Sequence, residues 1–130
     1  MSENKDFVIK VNGVSKDYGK AHVLDNMTFS VPKGSIFGLV GRNGAGKTTI
    51  MRIMSGLQKP TSGTVEYGFD RKKLGNIGAL VELPSIYSNA SARDNLIYQY
   101  MNLGLKIDET IDESLEFVGL GDTGKKKAGK

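Results

Sequence analysis

Apolar positions in the first third of the chain come in short runs rich in β-branched residues. Val8, Ile9 and Val11 predict a strand over Phe7 to Val11, and Val14 to Tyr18 extends it beyond an Asn12-Gly13 turn signal. Val23, Met27, Phe29 and Val31 alternate partially, which predicts a second strand over His22 to Val31, broken by Pro32-Lys33-Gly34. Ser35 to Val40 is a continuous apolar run, suited to a strand buried on both faces. The period then changes. Ile50, Ile53, Met54 and Leu57 fall at i, i+3, i+4 and i+7, one helical face, with Gly56 and Pro60 as stop signals.

Further on, Thr64 to Tyr67 reads as a short strand and Asn76 to Glu82 as another buried one. Ser91 followed by Asp94 is a capping-box pattern, opening a helix whose apolar face is Leu96, Ile97, Tyr100 and Met101. Asp108 caps a last helix with Ile111, Leu115 and Val118 facing inward. From Gly119 onward the chain is mostly Gly, Lys and Asp with little to bury, which predicts a frayed or extended tail. Strands first and helices later make a mixed α/β architecture.

Length and composition change this picture little. At 130 residues, with 38% hydrophobic and 25% charged residues, the chain has the size and balance of one soluble globular domain. No apolar run is long enough to span a membrane, and the polar start Met1 to Asp6 is not a secretory signal. Cysteine is absent, which excludes disulfides and thiolate metal sites and is consistent with the cytoplasm. The net charge of +4 suggests nucleic acid until it is located. Four of the 18 basic residues, Lys125, Lys126, Lys127 and Lys130, lie in the last six positions, leaving 14 basic against 14 acidic residues in the body. A solvated tail explains the charge better than a phosphate-tracking stripe, so no nucleic-acid partner is expected.

The chemistry sits in Gly41-Arg42-Asn43-Gly44-Ala45-Gly46-Lys47-Thr48, which matches the phosphate-loop pattern G-x-x-x-x-G-K-[ST]. A loop that wraps phosphates must present consecutive backbone N–H groups without side chains in the way. Gly44 and Gly46 remove them and permit positive φ. The helix starting near Lys47 aims its positive end at the anion. Lys47 has the reach for the β- and γ-phosphates, Thr48 a hydroxyl for Mg²⁺, and Thr49 a further donor. A random chain of this length matches the pattern roughly once in two hundred times, and here it lies between a predicted buried strand and a predicted helix. The bland alternative is a glycine-rich turn with a surface lysine. A small GTPase would place the loop nearer its first strand and carry an Asn-Lys-x-Asp motif, which is not found here.

The stretches Val14-Ser15-Lys16-Asp17-Tyr18-Gly19, Val23-Leu24-Asp25-Asn26, Gly34 to Val40, Gly41 to Thr49, Ser55-Gly56-Leu57 and Pro60-Thr61-Ser62-Gly63 together resemble ABC transporter ATP-binding subunits. They run in order from about Val8 to Leu120. The resemblance implies an α/β fold of the P-loop NTPase, ABC type: an antiparallel β layer, a partial parallel sheet with helices, and the start of a helical subdomain. The corresponding divisions are a β-rich nucleotide-binding core at 7–87 with its phosphate loop at 41–49, a helical segment at 91–120 and a basic tail at 121–130.

By that resemblance the ligands are ATP and Mg²⁺. Tyr18 stands where the family stacks an aromatic on adenine, and Val23 where it adds an apolar contact; a strand-end tyrosine and an inward strand valine are the alternatives. Asn43, Gly44, Ala45, Gly46, Lys47, Thr48 and Thr49 hold the phosphates, and Thr48 the metal. Glu82 occupies the position of a loop glutamine that contacts Mg²⁺ and the attacking water. Glutamate there resembles the ATPases of bacitracin- and lantibiotic-type export and immunity, although an exposed strand-end residue is the simpler reading. No residue is assigned with certainty to catalysis.

The family's Leu-Ser-Gly-Gly-Gln-like signature, its Asp-Glu strand (the Walker B segment) and its switch histidine have no counterpart in the sequence, and the sole histidine, His22, reads as a surface strand residue. The sequence is therefore expected to be the N-terminal, truncated part of an ATP-binding domain, unable by itself to hydrolyse ATP. The partners implied are a transmembrane permease and a second ATP-binding subunit, with location at the inner face of the membrane. A stand-alone nucleotide-binding module, or an ABC ATPase not tied to a membrane, are the competing readings.

Overall fold

The computed structural model describes residues 6–73, 75–83 and 85–129. The chain forms two compact units, Met1–Glu82 and Leu83–Lys130.

The first unit is built on a three-stranded antiparallel sheet in the order β2-β1-β3, with β1 at Phe7–Tyr18, β2 at Ala21–Pro32 and β3 at Ser62–Tyr67. Asn12-Gly13 is not the hairpin turn. Tyr18 pairs with Ala21, so the turn is Gly19-Lys20, with Gly19 at φ 60°. Asn12-Gly13 instead forms a bulge: three steps along β1 from Val11 to Val14 oppose two along β2 from Phe29 to Met27. Gly13 supplies the left-handed φ of 57° that the bulge needs, and its N–H donates to Thr28 Oγ1 at 2.9 Å. The extra residue turns Val14 onto the same face as Val11, and both are fully buried.

That face receives helix α1, Lys47–Met54, whose Ile50 and Ile53 join Val11, Val14 and Leu24 in the buried core. Gly56 at φ 79° ends the helix, and the Tyr67 hydroxyl donates to the Met54 carbonyl at 2.8 Å. Leu57, expected on the helix's inner face, lies past the turn and is exposed.

Neither apolar run flanking the phosphate loop in the predicted core is a strand. Residues 35–40 and 76–82 find no ladder partner among the described residues, and Ile36 and Val40 are 104% and 97% exposed. An extended run becomes a strand only when a neighbour takes its N–H and C=O groups. Phe37 stacks on Phe29 at 5.5 Å, and Leu39 packs on the core.

In the second unit, α2 (Ala92–Asn102) and α3 (Thr110–Phe117) carry much of their order in polar contacts. Ser91 and Asp94 form the expected capping box. Asp108 Oδ1 accepts from the Thr110 N–H at 3.1 Å, one residue ahead of the formal cap Glu109. Arg93 donates to both carboxylate oxygens of Asp112, at 2.8 and 3.2 Å. Ile111 and Leu115 are buried as expected, while Met101 and Val118 are exposed. The tail is not frayed. Lys127 bridges to Ser91, the Ala128 N–H donates to the Ala90 carbonyl at 2.9 Å, and the Gly129 N–H to the Ser88 carbonyl at 3.0 Å.

Candidate functional site

The phosphate loop follows from the junction of β2 and α1. Gly46 is the N-cap of α1 at φ 88° and ψ 9°, a left-handed conformation that L side chains seldom adopt. It is buried, and a Cβ there would approach Leu24 Cδ2 to 2.5 Å and the Val23 carbonyl oxygen to 2.9 Å. The sheet thus presses directly on the backbone of the loop. Gly44, at φ 82°, faces open space instead: a Cβ would meet nothing within 4 Å. One glycine lets the loop pack on the core, the other leaves its outer side clear.

Helix α1 begins unlike the other two. Both α2 and α3 carry acidic residues in their first turns, Asp94 in one and Asp112 and Glu113 in the other. Helix α1 has none, and no side chain caps it. The first-turn N–H groups of Lys47, Thr48 and Thr49 have no helical acceptor, as at any helix start, and the positive end of the dipole is left uncompensated by the chain. An uncapped helix start of this kind, behind the loop motif, has the donors that a phosphate would need. Lys47 folds back over it, its ammonium donating to the Gly41 carbonyl and, at 2.7 Å, to the Arg42 carbonyl. Thr48 and Thr49 are half-buried on the first turn, and Asn43 and Ala45 are exposed.

Tyr18 ends β1 and is 46% exposed as a residue, so it is not a core residue. Two contacts hold it, and a third fixes Lys16. Gln58 Nε2 donates to its hydroxyl, the Lys16 ammonium lies 5.2 Å from its ring centroid, and that ammonium also donates to the Lys59 carbonyl at 3.0 Å. Val23 is half-buried and packs on the core, the inward strand position given above as the alternative to a base contact. His22 Nδ1 lies 2.6 Å from Asp17 Oδ1 beside the hairpin turn, on the surface.

Glu82 adopts φ 65°, rare for a residue with a side chain, and its Oε2 accepts from Arg52 Nη2 at 2.9 Å. It is thereby attached to α1, the helix that starts at the phosphate loop. Arg52, Gln58 and Lys16 were not singled out by sequence; only Arg52 carried a signal, as a cation in the last turn of a short helix.

Among the described residues no three His, Cys, Asp or Glu side chains gather as a metal site. The donors expected from the sequence are the Thr48 hydroxyl and the Glu82 carboxylate. That set fits Mg²⁺ held mainly by phosphate oxygens and water, with one or two protein oxygens. An apolar groove of about 590 Å³ in the second unit, lined by Ile86, Leu96, Leu115 and Val118 among others, contains none of these site residues. A cradle made of main-chain N–H groups is an open surface and needs no deep cavity.

A family model described as ABC transporter matches residues 24–130. The chain belongs to the ABC transporter family. Among its relatives is the bacitracin transport ATP-binding protein BcrA of Bacillus licheniformis, 44% identical over 129 residues, covering 95% of this chain and 42% of that protein. The lantibiotic transport ATP-binding protein SrtF of Streptococcus pyogenes is 39% identical over 122 residues, covering 92% of this chain and 53% of its own length. Both belong to the subgroup suggested by Glu82. The chain thus spans about half the length of the curated relatives it matches. An ABC transporter ATP-binding protein from Pyrococcus furiosus has a similar fold, with a TM-score of 0.75 at 31% identity over 93% of this chain and 61% of that one. The α/β fold of the ABC type agrees with that solved structure. No helix among the described residues is long and apolar enough to cross a membrane.

Proposed function

We propose that this chain is the nucleotide-binding part of an ABC transporter ATP-binding subunit serving export of, or immunity to, peptide antibiotics of the bacitracin or lantibiotic kind. The observation that carries it is the glycine-shaped loop 41–46 leading into an uncapped, acid-free helix start at Lys47. Asn43 to Thr49 hold the phosphates of ATP. The Lys47 ammonium exchanges the carbonyls of Gly41 and Arg42 for phosphate oxygens, a charge-assisted and stronger bond. Tyr18, steadied by Gln58 and Lys16, offers an exposed ring for adenine, and Val23 backs the strand beside it. Thr48 and Glu82 are the metal donors; Mg²⁺, when bound, neutralises charge on the β- and γ-phosphates.

Residues 91–120 are the start of the helical subdomain, and 7–87 the nucleotide core. The working assembly pairs two such subunits around ATP and docks on a transmembrane permease at the inner membrane face. Water attack on the γ-phosphate needs a positioned base and further positive charge, and in this family these come from segments with no counterpart in residues 1–130. The chain therefore binds ATP without turning it over. Export or immunity is favoured over a membrane-free role by Glu82 and by the similarity to BcrA and SrtF.

Calorimetry with ATP tests the site. Lys47→Ala weakens binding more than tenfold, about 1.4 kcal/mol or above; equal affinity for parent and variant removes the phosphate loop from the binding site.

A further inference from the structure

Arg52 and Glu82 lie 30 residues apart, and their bond joins the glutamate's segment to the phosphate-loop helix. Two facts make this more than a surface ion pair. Glu82 holds a left-handed backbone at φ 65°, a conformation that persists only where surroundings fix it. And Arg52 is four residues after Thr48 on α1, so their side chains share one helix face, with Cβ atoms about 5–6 Å apart.

We propose that Arg52 restrains the Glu82 carboxylate at the nucleotide site: its guanidinium and the Mg²⁺ of a bound nucleotide compete for that carboxylate. This rests on reading 41–49 as the Mg²⁺–nucleotide site. Only Oε2 is bonded to Arg52 among the described contacts, yet both oxygens share one negative charge. A guanidinium at 2.9 Å draws on the charge that would attract the metal. Both side chains are partly solvated, at 42% and 58% exposure, so the pair is weak enough to be exchanged rather than locked.

The test is the Mg²⁺ enhancement, the ratio of ATP affinity with Mg²⁺ to that in a chelator, measured by calorimetry on the chain. Arg52→Gln is expected to raise the ratio about two- to fivefold, the span that an exposed ion pair permits. Arg52→Lys, which keeps the charge but loses the planar fork, falls between parent and Arg52→Gln. Glu82→Gln lowers the ratio, and adding Arg52→Gln to it changes nothing further. The idea is overturned if Arg52→Gln leaves the ratio unaltered, or shifts it equally with and without Glu82. Thermal melts of each variant check the fold, and Arg52→Lys decides the matter should Arg52→Gln unfold. A parent chain that binds no ATP in either buffer overturns the nucleotide reading itself, a different result from a flat Arg52 series.

Discussion

The two units of this chain are held together by different means. In the first, five hydrophobic side chains from two strands and one helix are buried together, and the sheet and α1 share them. In the second, only Ile111 and Leu115 are buried hydrophobics among the described residues. There the order comes from the capping box at Ser91, the Asn95 amide bonded to the Tyr87 and Ser91 backbone, the Arg93–Asp112 fork and the returning tail. Apolar burial is insensitive to salt and pH, whereas exposed ion pairs and caps are not. The unit carrying the phosphate loop therefore has the more robust support, and the helical unit is the more responsive to solution conditions.

The sharpest way to break that contrast is to open the first core. Ile50→Ala removes a fully buried side chain at the centre of the helix–sheet contact and should cost about 2–5 kcal/mol, read as a lower urea midpoint for the first unit by amide exchange. A loss below about 1 kcal/mol would mean that burial is not what holds it. In the second unit, Ser91→Ala removes the cap of α2 and should cost about 0.5–2 kcal/mol, with faster exchange confined to residues near 92–95. If exchange also rises in β1 and β2, the two units are not independent.

The smallest effect is a pH dependence. The hydrogen bonds from Arg93, its nearby charge helping, hold the Asp112 carboxyl below its ordinary value of 3.8. A carboxylate lowered in the folded state adds stability above its unfolded pKa and loses it as the pH falls through the folded one. The α2–α3 contact should therefore weaken slightly on acidification below about pH 4. Asp112→Asn should flatten that part of the curve, seen by circular dichroism across pH 2 to 6; an unchanged acid limb assigns it to other carboxylates.

Much of this was legible in sequence where the determinant is local. The capping box, the extended stretches that become the three strands and the helix after Lys47 depend on residues within a few positions of each other. The failures are non-local. Ser35 to Val40 and Asn76 to Glu82 have strand-like composition, but a strand also needs a partner, which composition does not reveal. Asn12-Gly13 has the chemistry of a turn and of a bulge alike, and only the register with β2 decides between them. The lysine-rich tail looked unable to pack because it has few apolar residues, yet it is tied by main-chain bonds that any sequence can make. At the candidate site the loop's left-handed glycines, Gly44 and Gly46, were expected from their spacing. Arg52 and Gln58 were not, since what marks them is the residue each one reaches across 30 and 40 positions.

That main-chain tie has a topological consequence. The Ala128 and Gly129 N–H groups meet the Ala90 and Ser88 carbonyls, so residues 88–129 form a loop whose two ends are held a hydrogen bond apart. Whatever loosens that tie frees both ends at once, including the bridge from Lys127 to the Ser91 cap of α2.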